Sequence, residues 1–292
     1  MAIEKWLSEN CASLKGKTVA ITGSTGGLGK ELCRYLCQLG ADLVMINRSL
    51  ERSNELKAEL QEKYDSNISV VVCDISCLES VKSAAKILKE LPIDIFISNA
   101  GAYSIKREIG TDGICNIFKI NFLSPYYLIK ELLPLLKQRK GRVVAVSSIA
   151  HIYSKTDPKN IDYKDKKSDA LCYGNSKRYL MFSLYKLFEN ETDASLSIVH
   201  PGITFTNITA HYPPIIFKII KYPMKIIFMK PKKACLSVLK GVFEKTKSNQ
   251  WIGPWLFDVW GMPKLKKVNT CTDKEQDRIF KTAEELYKKA NA

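Results

Sequence analysis

The sequence predicts an α/β fold, three layers built on a doubly wound parallel sheet, and three observations carry that prediction. Short β-branched apolar runs alternate with helical segments from residue 18 to residue 200. The runs are apolar at consecutive positions, as strands covered on both faces require. A glycine-rich turn, Thr22-Gly23-Ser24-Thr25-Gly26-Gly27-Leu28-Gly29, separates the first run from the first helix.

The elements follow in order. Residues 18–21 form a strand, and residues 30–39 a helix that Gly40 closes, because glycine takes left-handed backbone without a Cβ penalty. Residues 42–46 are the second strand, 50–64 a charged helix and 68–73 the third strand. Ser76 offers a hydroxyl cap to a helix ending at Lys89, and 93–98 is strand four. A long helix covers about 116–137, bent near Pro125 and Pro134, since proline lacks an N–H and crowds the preceding turn. Residues 142–147 form strand five, 173–190 a helix and 195–200 strand six. No repeat, linker or low-complexity break divides the chain, so residues 1–292 read as a single domain.

Composition excludes several classes. With 292 residues, 46% hydrophobic and 26% charged, the chain is neither collagen-like nor disordered, and it is long enough for a substantial core. Its nine cysteines are scattered without a CxxC pair, and only three histidines accompany them. Buried free thiols are therefore expected, with no disulfide framework and no metal site. No basic segment leads into an apolar run at Met1, and no apolar stretch reaches the roughly 18 residues of a spanning helix. A cytoplasmic location is expected.

The net charge of +15 invites a polyanionic partner. The excess is regional: residues 1–150 hold +4, whereas residues 201–250 hold nine lysines against Glu244 alone. Neither zinc-ligand spacing nor an RNA-recognition aromatic motif accompanies it, so no nucleic acid partner is expected.

Chemistry enters at the glycine loop. Gly23, Gly27 and Gly29 let backbone approach a pyrophosphate, and the helix N-terminus behind them offers unpaired N–H groups to that anion. At the end of strand two, where an NAD site commonly places a carboxylate for the ribose, stand Asn47 and Arg48. A neutral amide followed by a guanidinium favours a 2′-phosphate, hence NADP(H) over NAD(H), while NAD(H) is not excluded. Tyr173 and Lys177 are four residues apart, so one helical face carries both. An ammonium beside a phenol stabilises the phenolate and makes the tyrosine a usable acid or base. Ser147-Ser148 closes strand five at the carboxyl edge of the sheet, where ligands bind in this architecture.

Five motifs in order resemble the short-chain dehydrogenase/reductase family and its Rossmann fold. They are the loop 22–29, Asp74 after strand three, Asn99-Ala100-Gly101 after strand four, Ser148 with Tyr173 and Lys177, and His200-Pro201-Gly202 after strand six. The long interval from Ser148 to Tyr173 and the closing segment 277–286 resemble the branch that contains retinol dehydrogenases. The resemblance implies that Tyr173 is the general acid in carbonyl reduction and the base in alcohol oxidation. Ser148 would bind the same oxygen, Lys177 would lower the tyrosine pKa and hold the nicotinamide ribose, and Asn121 would hold a water in a proton relay with Lys177. Ser24, Thr25 and Leu28 would complete the phosphate loop. Asp74 would meet the adenine with Ile75 packed beside it, although it can also cap the next helix. Asn99, Ala100 and Gly101 would let the cofactor approach the sheet edge, and Pro201, Gly202, Ile203 and Thr204 or Thr206 would meet the carboxamide. His200 reads as structural. A homodimer or homotetramer is implied in the same way.

The implied activity is hydride transfer between NADP(H) and a lipophilic alcohol or carbonyl compound, retinoid-, steroid- or lipid-aldehyde-like. A redox-silent NADP-binding regulator is the alternative, and intact Asn121, Ser148, Tyr173 and Lys177 argue against it. Residues 211–230, rich in isoleucine, phenylalanine and lysine, fall in the family's variable substrate lid, about 204–233. Their composition fits a lid over a greasy substrate, a peripheral contact with an anionic membrane surface, or a dimer contact.

Overall fold

The computed structural model describes residues 2–103, 105–165, 168–204 and 229–291. One sheet of eight strands runs through it in the order β3-β2-β1-β4-β5-β6-β7-β8. In chain order these are β1 (Thr18–Thr22), β2 (Asp42–Asn47), β3 (Ile68–Val72), β4 (Ile95–Ser98), β5 (Arg142–Val146), β6 (Ser195–Val199), β7 (Gln250–Leu256) and β8 (Trp260–Lys267). The first seven are mutually parallel, and β8 pairs antiparallel with β7.

Consecutive apolar residues serve two cores, one on each face. Val19, Ile21, Met45 and Val144 pack with α1 (Ala2–Asn10), α2 (Gly27–Gln38), α3 (Leu50–Lys63) and α8 (Pro231–Phe243). Ala20, Val44, Phe96 and Val143 face the opposite layer. That layer consists of α4 (Leu78–Lys89), α6 (Ser124–Gln138), α7 (Asp169–Leu187) and α9 (Asp273–Asn291), with the short α5 (Asn116–Phe118) leading into it. Each fully buried leucine, isoleucine or phenylalanine on either face contributes about 1.5–3 kcal/mol relative to exposure. The doubly wound sheet is thus present as expected.

Because β1 pairs with both β2 and β4, the chain leaves β3 on one side of β1 and resumes on the other. The loops after β1 and β4 therefore diverge and leave a crevice at the carboxyl edge. That crevice positions the site.

Several boundaries differ from the sequence reading. Strand four begins at Ile95, and the Asp94 side chain ahead of it accepts from the Thr18 N–H at 2.9 Å and the Arg139 guanidinium at 3.1 Å. Cys77, not Ser76, precedes α4; the Ser76 hydroxyl donates to Asp74 instead. The break in the long helix is a π-helical turn over Lys119–Leu123 that runs directly into α6, one residue ahead of Pro125, which has no N–H to continue the regular ladder. The α7 helix starts at Asp169, with the Ser168 hydroxyl accepting from the Leu171 N–H, so Tyr173 lies in its second turn.

Candidate active site

A cavity of about 750 Å³ runs along the carboxyl edge of the sheet, and the glycine loop forms one wall of it. Gly29 is required there by close approach: a Cβ at this position would lie 2.1 Å from the Gly23 carbonyl oxygen. Helix α2 begins behind the loop with Gly26 at its N-cap and no side-chain cap, which leaves its first N–H groups turned to the cavity edge. The backbone is braced from outside the loop. Asn99 Nδ2 donates to the carbonyls of Thr22 and Gly23 at 2.9 and 3.2 Å, and the N–H groups of Asn99 and Ala100 reach the Thr22 hydroxyl.

Asn47 is a second brace, and the residue also lines the cavity beside Arg48. Its carboxamide is buried and donates to the hydroxyls of Ser24 at 2.6 Å and Ser53 at 3.0 Å, while its oxygen accepts from the Thr25 N–H. Ser24 is fully buried beneath the loop. Arg48, by contrast, is exposed and lines the cavity. Asp74 and Ile75 line it too, with one Asp74 oxygen accepting from the Ser76 N–H and hydroxyl at 2.9 and 2.7 Å. Asp74 therefore closes a turn and does not cap α4.

The reacting groups meet at the other end. Gly174 lets α7 settle onto the turn Ile149–Tyr153, since a Cβ there would lie 2.3 Å from the Ala150 oxygen. That approach puts Tyr173 within hydrogen-bonding reach of the Ser148 hydroxyl. Lys177 Nζ donates to the Val146 carbonyl at 2.9 Å and sits 5.8 Å from the Tyr173 ring centre. Burial pushes the tyrosine up to about 12, against the Ser148 hydrogen bond that lowers it. Burial also brings Lys177 down to about 8.

Asn121 lies inside the π-helical turn, fully buried. Its carboxamide accepts from the Ala102 N–H at 3.1 Å and donates to the Ala102 and Ile117 carbonyls at 2.8 and 2.9 Å. It locks the loop after β4 to the helix, and Lys177 lies just across Gly101 from it. The Ser147 hydroxyl points away, toward Met181 Sδ. His200 is buried and stacked on Trp251 at 5.1 Å, and burial lowers its pKa to about 3, so it is neutral. Pro201, Gly202, Ile203 and Thr204 complete the wall, and Thr206 falls outside the described residues together with most of the lid.

Sequence reasoning missed the substrate-facing walls. Tyr103, Ile105, Ile149 and Tyr153 line the cavity near Tyr173, and Tyr103 meets the Tyr173 ring edge-on at 4.9 Å. It also missed His151, whose Nδ1 is 2.8 Å from the Ser148 carbonyl and whose Nε2 is 3.0 Å from the Thr270 hydroxyl. Of these five, Tyr103 and Ile105 lie in a loop and Ile149, His151 and Tyr153 in a single short 3-10 turn, too short for periodicity to mark a side chain's direction. Among the described residues no acidic, histidine or cysteine cluster could hold a metal, and every cysteine is a free thiol.

Known proteins resemble this chain in sequence and in fold. The short chain dehydrogenase family pattern matches residues 17–159. Short-chain dehydrogenase TIC 32 A of Brassica napus is 32% identical over 213 residues, covering 68% of this chain and 67% of that protein. Retinol dehydrogenase 12 of Mus musculus is 32% identical over 203 residues, covering 67% and 64%. Among solved structures, an uncharacterized protein from Mycobacterium paratuberculosis superposes with a TM-score of 0.77 at 21% identity, covering 96% of this chain and 97% of that one. L-sorbose reductase from Gluconobacter frateurii, solved with NADPH and L-sorbose, gives 0.65 at 19% identity over 80% and 92%. The chain belongs to the short-chain dehydrogenase/reductase family, with retinol dehydrogenase-like relatives, and is an oxidoreductase of CH–OH and C=O groups.

Proposed function

We propose that this protein is an NADP(H)-dependent reductase or dehydrogenase of lipophilic alcohols and carbonyl compounds, with Tyr173 as general acid and base. One observation carries the reading: a single cavity joins exposed Arg48 at one end to Ser148, Tyr173 and Lys177 at the other. The loop fits the cofactor because its helix N-terminus is uncapped and Gly29 holds the backbone close. A bound nicotinamide would supply hydride for reduction and take it in oxidation.

The protein's own residues do the rest. Ser148 holds the substrate oxygen and Tyr173 gives it a proton in reduction or removes one in oxidation. Lys177, anchored on Val146, stabilises the phenolate that forms and would hold ribose hydroxyls. Asn121 fixes the loop beside Lys177 and closes the proton path. Tyr103, Ile105, Ile149 and Tyr153 give the substrate end an apolar wall. Carbon-rich substrates of retinoid, steroid or lipid-aldehyde type suit it better than sugars. We read the chain as one domain with a lid over about 204–233.

NADPH oxidation measured across aldehydes and ketones of rising chain length tests the proposal. Turnover that improves with chain length is expected, and nucleotide binding without turnover of any carbonyl would establish the redox-silent alternative. Cofactor choice has its own test. Arg48→Ala should weaken NADPH by about tenfold and NADH by less than twofold, because a charge-assisted bond to an exposed guanidinium is worth about 1–1.5 kcal/mol. Equal losses would remove Arg48 from 2′-phosphate recognition.

A further inference from the structure

The β7–β8 hairpin carries a feature that hydride transfer does not use. At its tip Trp255 is 57% exposed, Leu256 38% and Phe257 81%. These are three consecutive large apolar side chains in water, where single ones are ordinary and clusters mark contact sites. The tip is built rigidly. Phe257 and Asp258 both take left-handed backbone, with φ of 51° and 58°. For phenylalanine that conformation is uncommon. The Trp255 indole lies over Gly261, where a Cβ would fall 2.1–2.2 Å from the ring. Asp258 is neutralised by Lys266 at 2.9 Å, and the same ammonium donates to the Pro254 carbonyl at 2.8 Å.

Charge selects the occupant. Between residues 229 and 267 the only carboxylates are Glu244 and Asp258, and Lys240 and Lys266 take them. Exposed Lys264 on β8, opposite Gly253, stands nearest the apolar tip; exposed Lys267 lies further along the strand on its other face, and exposed Lys230 follows Met229, whose sulfur approaches Gly202 as Pro254 does, so this region is basic on more than one side. Two copies meeting here would oppose like charges. A convex tip of tryptophan and phenylalanine with lysines behind it matches a bilayer interface, where indole and phenyl groups enter the headgroup boundary and lysines meet anionic lipid. We infer that the hairpin tip Trp255-Leu256-Phe257, with Lys264 behind it and Lys230 and Lys267 adding positive charge to the region, docks this protein on the surface of an anionic bilayer.

Docking would place the cavity mouth at the lipid surface. A Cβ on Gly202, which lines the cavity, would lie 2.9 Å from the Val259 oxygen and 3.0 Å from Pro254 Cγ, so the hairpin abuts the substrate end. This consequence rests on the proposed lipophilic substrate, whereas the docking itself does not.

The test is cosedimentation of the full chain with vesicles, without cofactor or substrate. Vesicles of phosphatidylcholine and phosphatidylserine should carry the protein down, and added salt should release it. Trp255→Ser with Phe257→Ser should lower the partition coefficient at least tenfold. Lys264→Glu with Lys267→Glu should lower it on anionic vesicles and leave it unchanged on pure phosphatidylcholine. Turnover of a water-soluble carbonyl at the wild-type rate would show that both variants fold. Absence of wild-type binding, or equal binding by the serine variant, overturns the proposal. So does loss of a gel-filtration dimer with vesicle binding unaltered, which would give the tip to a second copy. Failure of lipophilic substrates to turn over leaves every vesicle outcome readable.

Discussion

Tyr173→Phe is expected to lower kcat/KM for carbonyl reduction by about 10³-fold, while NADPH affinity stays within about twofold. A loss of that size is about 4 kcal/mol of transition-state stabilisation, inside the range for removing a positioned general acid. Phenylalanine keeps the ring that Tyr103 meets edge-on at 4.9 Å, so the wall survives and only the hydroxyl is lost. The direction of pH dependence follows from the site. Burial holds Tyr173 near 12 and brings Lys177 to about 8, so near neutral pH the phenol keeps its proton and the amine is largely charged. Reduction, which consumes the phenol proton, should be flat through neutrality and fall in alkali. Oxidation, which needs the phenolate, should rise with pH over the same interval. Rates in both directions from pH 6 to 10, with nucleotide binding measured by fluorescence, check the point. Unchanged turnover in Tyr173→Phe would remove the tyrosine from the chemistry. Oxidation that slows as pH rises would reverse the assignment of acid and base.

What was legible in the sequence was whatever short-range geometry fixes. Four residues on a helix bring Tyr173 and Lys177 to one face wherever the helix begins, so its earlier start at Asp169 does not disturb the pair. The loop 22–29 was legible because strand, glycines and helix are contiguous. For Asn47 the position was visible and the direction of its carboxamide was not; the hydroxyls of Ser24 and Ser53 hold it beneath the loop, at the cavity wall. Edge strand β8 was missed because Pro263 and three lysines give it the composition of a loop, and an edge tolerates both. The helix α1 went unread because nine residues hold too little pattern, although Trp6 and Leu7 bury it against the sheet layer. The walls at Tyr103 and Tyr153 depend on loop paths, for which spacing carries no rule.

Glu275→Gln should cost more stability than any surface substitution, because it breaks a buried polar connection that runs from α9 through α7 to Ser148. Arg178 Nε and Nη2 donate to Glu275 Oε1 at 3.0 and 2.7 Å, and Nη2 also reaches the Thr270 carbonyl at 2.7 Å. The Thr156 hydroxyl donates to the same carboxylate. From Thr270 the chain of contacts continues through His151 to the Ser148 carbonyl. The Arg178 side chain is only 4% exposed, so an uncharged partner leaves a guanidinium buried without its counter-ion. Removing one partner of a fully buried pair costs about 3–5 kcal/mol; with Glu275 24% exposed, about 2–3 kcal/mol is expected. For a chain of this size that is a fall in Tm of about 5–10 °C. Burial alone would raise the Glu275 carboxyl, but the Thr156 and Arg178 hydrogen bonds and the guanidinium charge hold it below its ordinary value. A depressed folded pKa adds stability that is complete above the unfolded value near about 4.3 and is lost as pH falls through the folded one. The gap in Tm between wild type and Glu275→Gln should therefore hold constant from about pH 8 to 5 and close below about 4. Thermal melts across that range decide it: a gap that widens in acid, or none at neutral pH, means that the pair does not anchor α9. The same variant should lower kcat with little change in nucleotide affinity, since Ser148 is reached through His151 whereas the glycine loop is braced independently by Asn47 and Asn99.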